Sequence, residues 1–191
     1  MAKIKKITRG SPSALFHDKK QNGSVKRIIF TNFRLSTKQS FMTQLEIKTA
    51  IQIHKPIAEV FEAIIDPAKM SNYFISESTG KMAEGETLTW KFPEFDERFP
   101  IDVIKVESPE LIVFEWEGTP GKKLRVDIKL ESRTQNDTLV KITEGKMDSS
   151  MEGIEWLGRN TEGWANFLAS MKAYLEHGIN LRKGAFDFMK K

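Results

Sequence analysis

The stretch "TLVKITEG", residues 138–145, puts one carboxylate where a carboxylate is costly. Val140, Ile142 and Glu144 share a parity, and alternate residues of a strand point to the same face. Glu144 is therefore expected to follow Val140 and Ile142 toward an apolar interior, near a strand end. A carboxylate there would be partly desolvated and could orient a polar ligand group or act as a base. The competing reading is a rim position, solvated or paired with Lys or Arg.

The other groups capable of chemistry do not converge. His17 lies in a basic N-terminal stretch, His54 ends a strand pattern, and His177 ends a helical one, where a cation suits the helix dipole. No spacing joins them with carboxylates as metal ligands. Cys is absent, which excludes thiolate nucleophiles, disulfides and zinc–thiolate sites. Ser76, Ser78 and the "DSS" of residues 148–150 lack a glycine-framed elbow or a nearby base. "GTPGKK", residues 118–123, has the wrong spacing for a phosphate loop and joins two strands, so it reads as a hairpin turn. No cofactor is implied.

The chain has 191 residues, 39% hydrophobic and 29% charged, the balance of a soluble globular domain plus an extension. No run approaches the roughly 18 apolar residues of a membrane-spanning helix. The opening residues lack the pattern of a secretory leader, and a cytoplasmic location is the expectation. The net charge of +4 hides a split. Residues 1–40 carry ten Lys/Arg and one acid, a net +9; the rest carries 20 basic and 25 acidic residues, a net −5. The basic pI belongs to the extension, which argues against nucleic acid as a partner of the body.

Residues 1–41 are expected to be a disordered or peripheral extension, although "VKRIIFTNF" could add a strand. A phosphate-binding tail, a targeting peptide and an appendage outside the fold all remain open. The pattern that opens at Met42 favours the last, and residues 42–191 are expected to form a single domain.

In "MTQLEIKTAIQIHKP" Leu45, Ile47, Thr49, Ile51 and Ile53 share a face. Pro56 ends the strand, and Ile57, Val60, Phe61, Ile64 and Ile65 then line one side of a helix. Asp66-Pro67 breaks that helix and "PAKMSNYF" restarts a short one. Strands follow. Leu88, Trp90 and Phe92 share a face; so do Ile101 and Val103 and, less cleanly, Lys105. Next come Ile112, Phe114 and Trp116, then Leu124, Val126, Ile128 and Leu130. A polar linker, "KMDSSMEG", is expected before a long helix capped by Asn160 or Thr161. Trp164, Phe167, Leu168, Met171, Tyr174 and Leu175 form its apolar stripe, and Gly178 stops it. The tail "INLRKGAFDFMKK" is amphipathic and either packs back or frays. Short turns between consecutive strands imply an antiparallel meander whose apolar face the last helix covers. The class is α+β.

These residues resemble a known family. The opening "IQIHKPIAEVFEAIIDPAKMSNYF" carries Pro56, Val60-Phe61, Ala63, Asp66-Pro67 and Tyr73-Phe74. It is similar to the start of the activator of heat-shock protein 90 ATPase homologue domain, of the START / birch-pollen-allergen (SRPBCC) superfamily. "ITEG" and Gly163-Trp164 with a helix closing in "YLEHG" resemble its end. The match spans about residues 44–180.

The resemblance implies a helix-grip fold. About seven antiparallel strands wrap a long C-terminal helix, two short helices close one end, and a cavity commonly lies between sheet and helix. Parity then nominates Trp90, Phe92, Phe114, Trp116, Val126, Ile128, Val140, Ile142 and Glu144 as lining. Trp164, Phe167, Leu168 and Met171 would face them. The competing reading is that these large side chains simply fill the space. The expected function is binding of a small hydrophobic ligand. The first alternative is a protein-interaction module working through the outer sheet face, as in the chaperone-activator domain; an enzyme using a cavity carboxylate is least favoured. Oligomeric state and ligand identity stay open.

Overall fold

The computed structural model describes residues 44–190, and the basic segment 1–41, with the readings attached to it, lies outside them. Strand β1 (Gln44–Ile53) leads into α1 (Ile57–Ile65) and α2 (Pro67–Met70). A meander follows: β2 (Glu77–Ser78), β3 (Thr87–Lys91), β4 (Arg98–Glu107), β5 (Leu111–Thr119), β6 (Lys122–Thr134) and β7 (Asp137–Asp148). The long helix α3 (Met151–His177) comes last, and a 3-10 turn (Asp187–Met189) lies near the end. The seven strands form one antiparallel sheet in the order β1-β7-β6-β5-β4-β3-β2. This is the expected α+β helix-grip architecture.

Local chemistry explains the elements. Leu124, Val126, Ile128 and Leu130 alternate along β6 and are all buried, so one face of the sheet is continuously apolar. Asp66 stops α1 and caps α2, its carboxylate accepting from the Ala68 N–H at 2.9 Å. Tyr73 is buried beneath the short helices, donates its hydroxyl to the Ala63 carbonyl at 2.9 Å and stacks on Tyr174 of α3. Burial pushes its phenol far above the ordinary range.

Two expectations about boundaries change. The alternation in β4 breaks after Val103 because a bulge inserts one residue: Val103 pairs with Phe114 but Lys105 pairs with Val113. Ile104 is the extra residue and is exposed, while Val106 returns to the apolar face. The second correction concerns α3. There is no polar linker: β7 runs to Asp148 and the helix starts at Met151. Ser150 is its cap, with Oγ accepting from the Gly153 N–H at 3.1 Å. Asn160 and Thr161 are therefore mid-helix residues and not caps. Gly153 permits so tight a turn, since a Cβ there would lie 2.0 Å from the Asp148 carbonyl oxygen. At the other end Gly178 adopts φ 69 and stops the helix as expected.

The C-terminal end of α3 is tied to the end of β1. Glu176 accepts from the His54 backbone N–H and from Lys172 Nζ, both at 2.6 Å. Lys172 also donates to the Gln52 carbonyl. For Glu176, partial burial opposes ionisation, but these donors outweigh it and hold the carboxyl below its usual range. Hydrogen bonds from Thr134 and His54 do the same for Asp137. Lys123 and Thr87 lower Asp102, and Lys141 lowers Glu131. Folded-state values below the unfolded ones of about 3.9 and 4.3 stabilise the fold above that range and stop doing so as pH falls through the folded values. The thermal midpoint is thus expected to be level above about pH 5 and to fall steadily below about pH 4. A midpoint unchanged down to about pH 3 would contradict this.

Candidate functional site

Glu144 sits on β7 between two apolar strands, opposite Ile47 of β1 and Val126 of β6. Its relative exposure is 0%, which decides between the two readings: it is interior, as parity suggests, and not at the rim. Among the described residues no Lys, Arg or His is paired with it. Trp116 Nε1 donates to Oε1 at 2.9 Å and Trp164 Nε1 donates to Oε2 at 2.7 Å. Asn160 Nδ2 donates to both oxygens, at 3.1 and 3.3 Å. Asn160 and Trp164 are four residues apart on α3 and so share a helical face, while Trp116 comes from β5. One carboxylate on the sheet thereby holds the helix through two side chains and β5, two strands away, through a third.

With their N–H groups turned to Glu144, the two indoles lie side by side, ring centroids 5.6 Å apart. No gap exists between them. The open space is next to them, a cavity of about 550 Å³ that both rings line. Phe92, Phe95 and Phe99, around the β3–β4 connection, form one wall. Arg159, Asn160, Glu162, Gly163 and Asn166 of α3 form another. The residues after α3 form a third, with Arg182, Phe186, Phe188 and Met189.

The nominated lining residues divide accordingly. Phe92, Trp116 and Trp164 line the cavity, and Glu144 lies behind the two indoles. Trp90, Phe114, Val126, Ile128, Val140, Ile142, Phe167, Leu168 and Met171 are packed in the core. Trp90 meets Phe114 at 5.5 Å, and Phe74 meets Phe167 at 4.7 Å. Large aromatics fill the middle of the grip, and the free volume is displaced to its end.

The third wall is held by one ion pair. Arg182 Nη2 donates to Glu94 Oε2 at 2.7 Å, and both side chains are largely buried. The guanidinium also lies 4.8 to 5.6 Å from the ring centroids of Phe186, Phe74 and Phe92. The residues after α3 are thus tied to the body through Arg182 and Phe186, the other residues of 179–190 being exposed. Phe188 remains 82% exposed at the mouth.

The family model described as Activator of Hsp90 ATPase homolog 1-like protein matches residues 54–176. The chain belongs to this family. A solved structure of a Staphylococcus saprophyticus protein is 31% identical, with a TM-score of 0.63 over 72% of this chain and 96% of that one. The Aha1 dimer from Colwellia psychrerythraea (19% identity, TM-score 0.60, 70% of this chain and 98% of that one) shares the fold. So does CalU16 from Micromonospora echinospora (18%, 0.54, 76% and 91%). No curated protein matches the sequence. Trp116, Glu144, Asn160 and Trp164 fall within the Hsp90-activator homologue match, whereas Arg182, Phe186 and Phe188 lie beyond it. Among the described residues no helix is long and apolar enough to cross a membrane, and no cluster of His, Asp or Glu could hold a metal ion.

Sequence reasoning missed Asn160, which it placed at a cap, and the walls made by Phe95, Phe99, Arg182 and Phe186. The two clustered aromatic runs, "FPEFDERF" and "FDFM", were the available signal.

Proposed function

We propose that this protein binds a small hydrophobic ligand in the aromatic groove beside Trp116 and Trp164. The observation that carries this reading is the groove itself. Its volume of about 550 Å³ is typical of small-molecule sites, and its walls are aromatic faces with a few amide and charged groups between them. The reading is one of binding and not of catalysis, because Glu144 is covered by the groups it holds and does not line the groove. Its role is to fix both indoles. A cytoplasmic location, which the Cys-free composition favours, belongs to this reading. A protein-interaction role of the outer sheet face is less well supported. That face of β6 presents Arg125, Asp127, Lys129 and Glu131, with Arg125 paired to Asp127 and Glu131 to Lys141. The concave aromatic surface lies elsewhere.

Two glycines on α3 provide the test. A Cβ at Gly163 or at Gly158 meets nothing within 4 Å, but only Gly163 lines the groove. Gly163→Leu and Gly158→Leu are each expected to stabilise the helix by about 0.5–1 kcal/mol. Only Gly163→Leu places a side chain in the groove, and it is expected to weaken binding of 2-(2-naphthyl)ethanol about tenfold, through lost apolar contact. Calorimetric titration reads the affinity and urea unfolding the stability. Equal affinities in the two variants would show that the groove is not the site.

A further inference from the structure

Resting on that reading of the groove, the geometry points to a ligand that carries a positive charge: a hydrophobic body bearing an amine or quaternary ammonium group. Among the described residues, every hydrogen bond that the Glu144 carboxylate makes is one it accepts, from two indoles and one amide. That environment matches the acceptor-only, ionised carboxylate. Among the described residues no Lys or Arg forms an ion pair with it. The link to a cation is indirect and long: Arg159 Nε donates at 3.4 Å to Asn160 Oδ1. A buried carboxylate thus lies behind the groove with no Lys or Arg of the described residues against it.

The two indoles transmit that charge. An N–H donated to a carboxylate pushes electron density into the ring, and both rings line the groove, Trp116 partly exposed and Trp164 buried. Trp faces are the strongest aromatic partners for a cation, and more so where water is excluded. Among the described residues no cation lies over either indole, whereas the Phe74, Phe92 and Phe186 rings are already occupied by Arg182. The aromatic wall therefore accepts a cation at one end, where Glu94 neutralises it. At the other end the aromatic lining is made by the two indoles, of which Trp116 is the more exposed. The surrounding charges have the same sense. Glu94, Glu117 and Glu162 line the groove and Glu144 lies behind it, against Arg159 and Arg182. With Glu94 and Arg182 paired, the excess is negative. Among the described residues lining the groove, Arg159 is the one that opposes this preference.

Three probes with one ring system and different charges test it on the intact protein. 2-(2-Naphthyl)ethylamine is cationic at neutral pH, 2-(2-naphthyl)ethanol is neutral, and 2-naphthylacetate is anionic. Calorimetric titration is expected to rank them in that order, the ammonium binding about tenfold tighter than the alcohol. The preference is expected to shrink in the rim variant Glu162→Gln, a substitution on the exposed face of α3 that leaves the Glu144 cluster intact. If the alcohol binds as tightly as the ammonium, the charge preference is overturned and the hydrophobic groove stands. If the carboxylate binds best, Arg159 governs the site and the preference is reversed. If none of the three binds, both this inference and the ligand-binding reading fail.

Discussion

Glu144→Leu is expected to lower the unfolding free energy by about 3 kcal/mol, as read by urea unfolding. The substitution keeps roughly the volume and removes a buried charge, which by itself would be favourable. The cost comes from what is left behind. The Trp164 indole N–H is buried and loses the Glu144 acceptor. The Trp116 N–H and the Asn160 amide lose theirs as well. Each unsatisfied buried donor costs about 1–3 kcal/mol, and the groups nearer the groove recover part of that from water. Glu144→Gln should be intermediate, because one oxygen remains but the new amide faces donors instead of acceptors. Near-ultraviolet circular dichroism adds a specific readout: both variants should change the indole bands, since Trp116 and Trp164 lose what sets their orientation. A Glu144→Leu protein as stable as the wild type, with unchanged indole bands, would remove the carboxylate from its structural role.

The second large effect is expected at the third wall. Arg182→Ala should destabilise by about 2 kcal/mol, because it leaves the buried Glu94 carboxylate without its ion-pair partner. The exposure of the Arg182 side chain, 14%, is why the effect falls below the about 3–5 kcal/mol of fully buried pairs. The same change removes the guanidinium from three aromatic rings. Arg182→Lys should rescue only part of the loss, since an ammonium cannot stack as a planar guanidinium does. The local consequence is more specific than the global one. Amide hydrogen exchange should accelerate in residues 179–190, while β5, β6 and β7 keep their protection. Unchanged exchange in that segment would mean that Arg182 does not hold the wall.

The sequence shows the fold in its punctuation and parity. The clean alternation of β6, the break at Asp66-Pro67 and the stop at Gly178 each have one physical meaning, and the meander order follows from the short turns. The start of α3 is harder to see. Its first three turns carry few apolar residues, with Trp156 and Gly153 buried and Met151 and Ile154 exposed. The capping Ser150 stands in a polar run that reads equally as a linker. The bulge in β4 is legible only as an irregularity at Lys105, because alternation alone does not tell an inserted residue from a weak strand.

The site divides in the same way. Parity correctly turns Glu144 inward and nominates Trp116 and Trp164, but it cannot show that all three meet. It tells which side chains point inward, not which of them leave space. The groove depends on contacts between segments without periodicity: Phe95 in the β3–β4 connection and Arg182, Phe186 and Phe188 after α3. Only the tertiary fold brings these together.

The most direct test of the groove as a ligand site follows the four Trp indole N–H signals in nuclear magnetic resonance spectra during titration with 2-(2-naphthyl)ethanol. The signals of Trp116 and Trp164 are expected to shift together and saturate, along with the backbone amide of Gly163. The signal of Trp156, which does not line the groove, should stay in place. Shifts confined to the outer face of β6, around Arg125 and Lys129, with the Trp116 and Trp164 indoles unmoved, would contradict it.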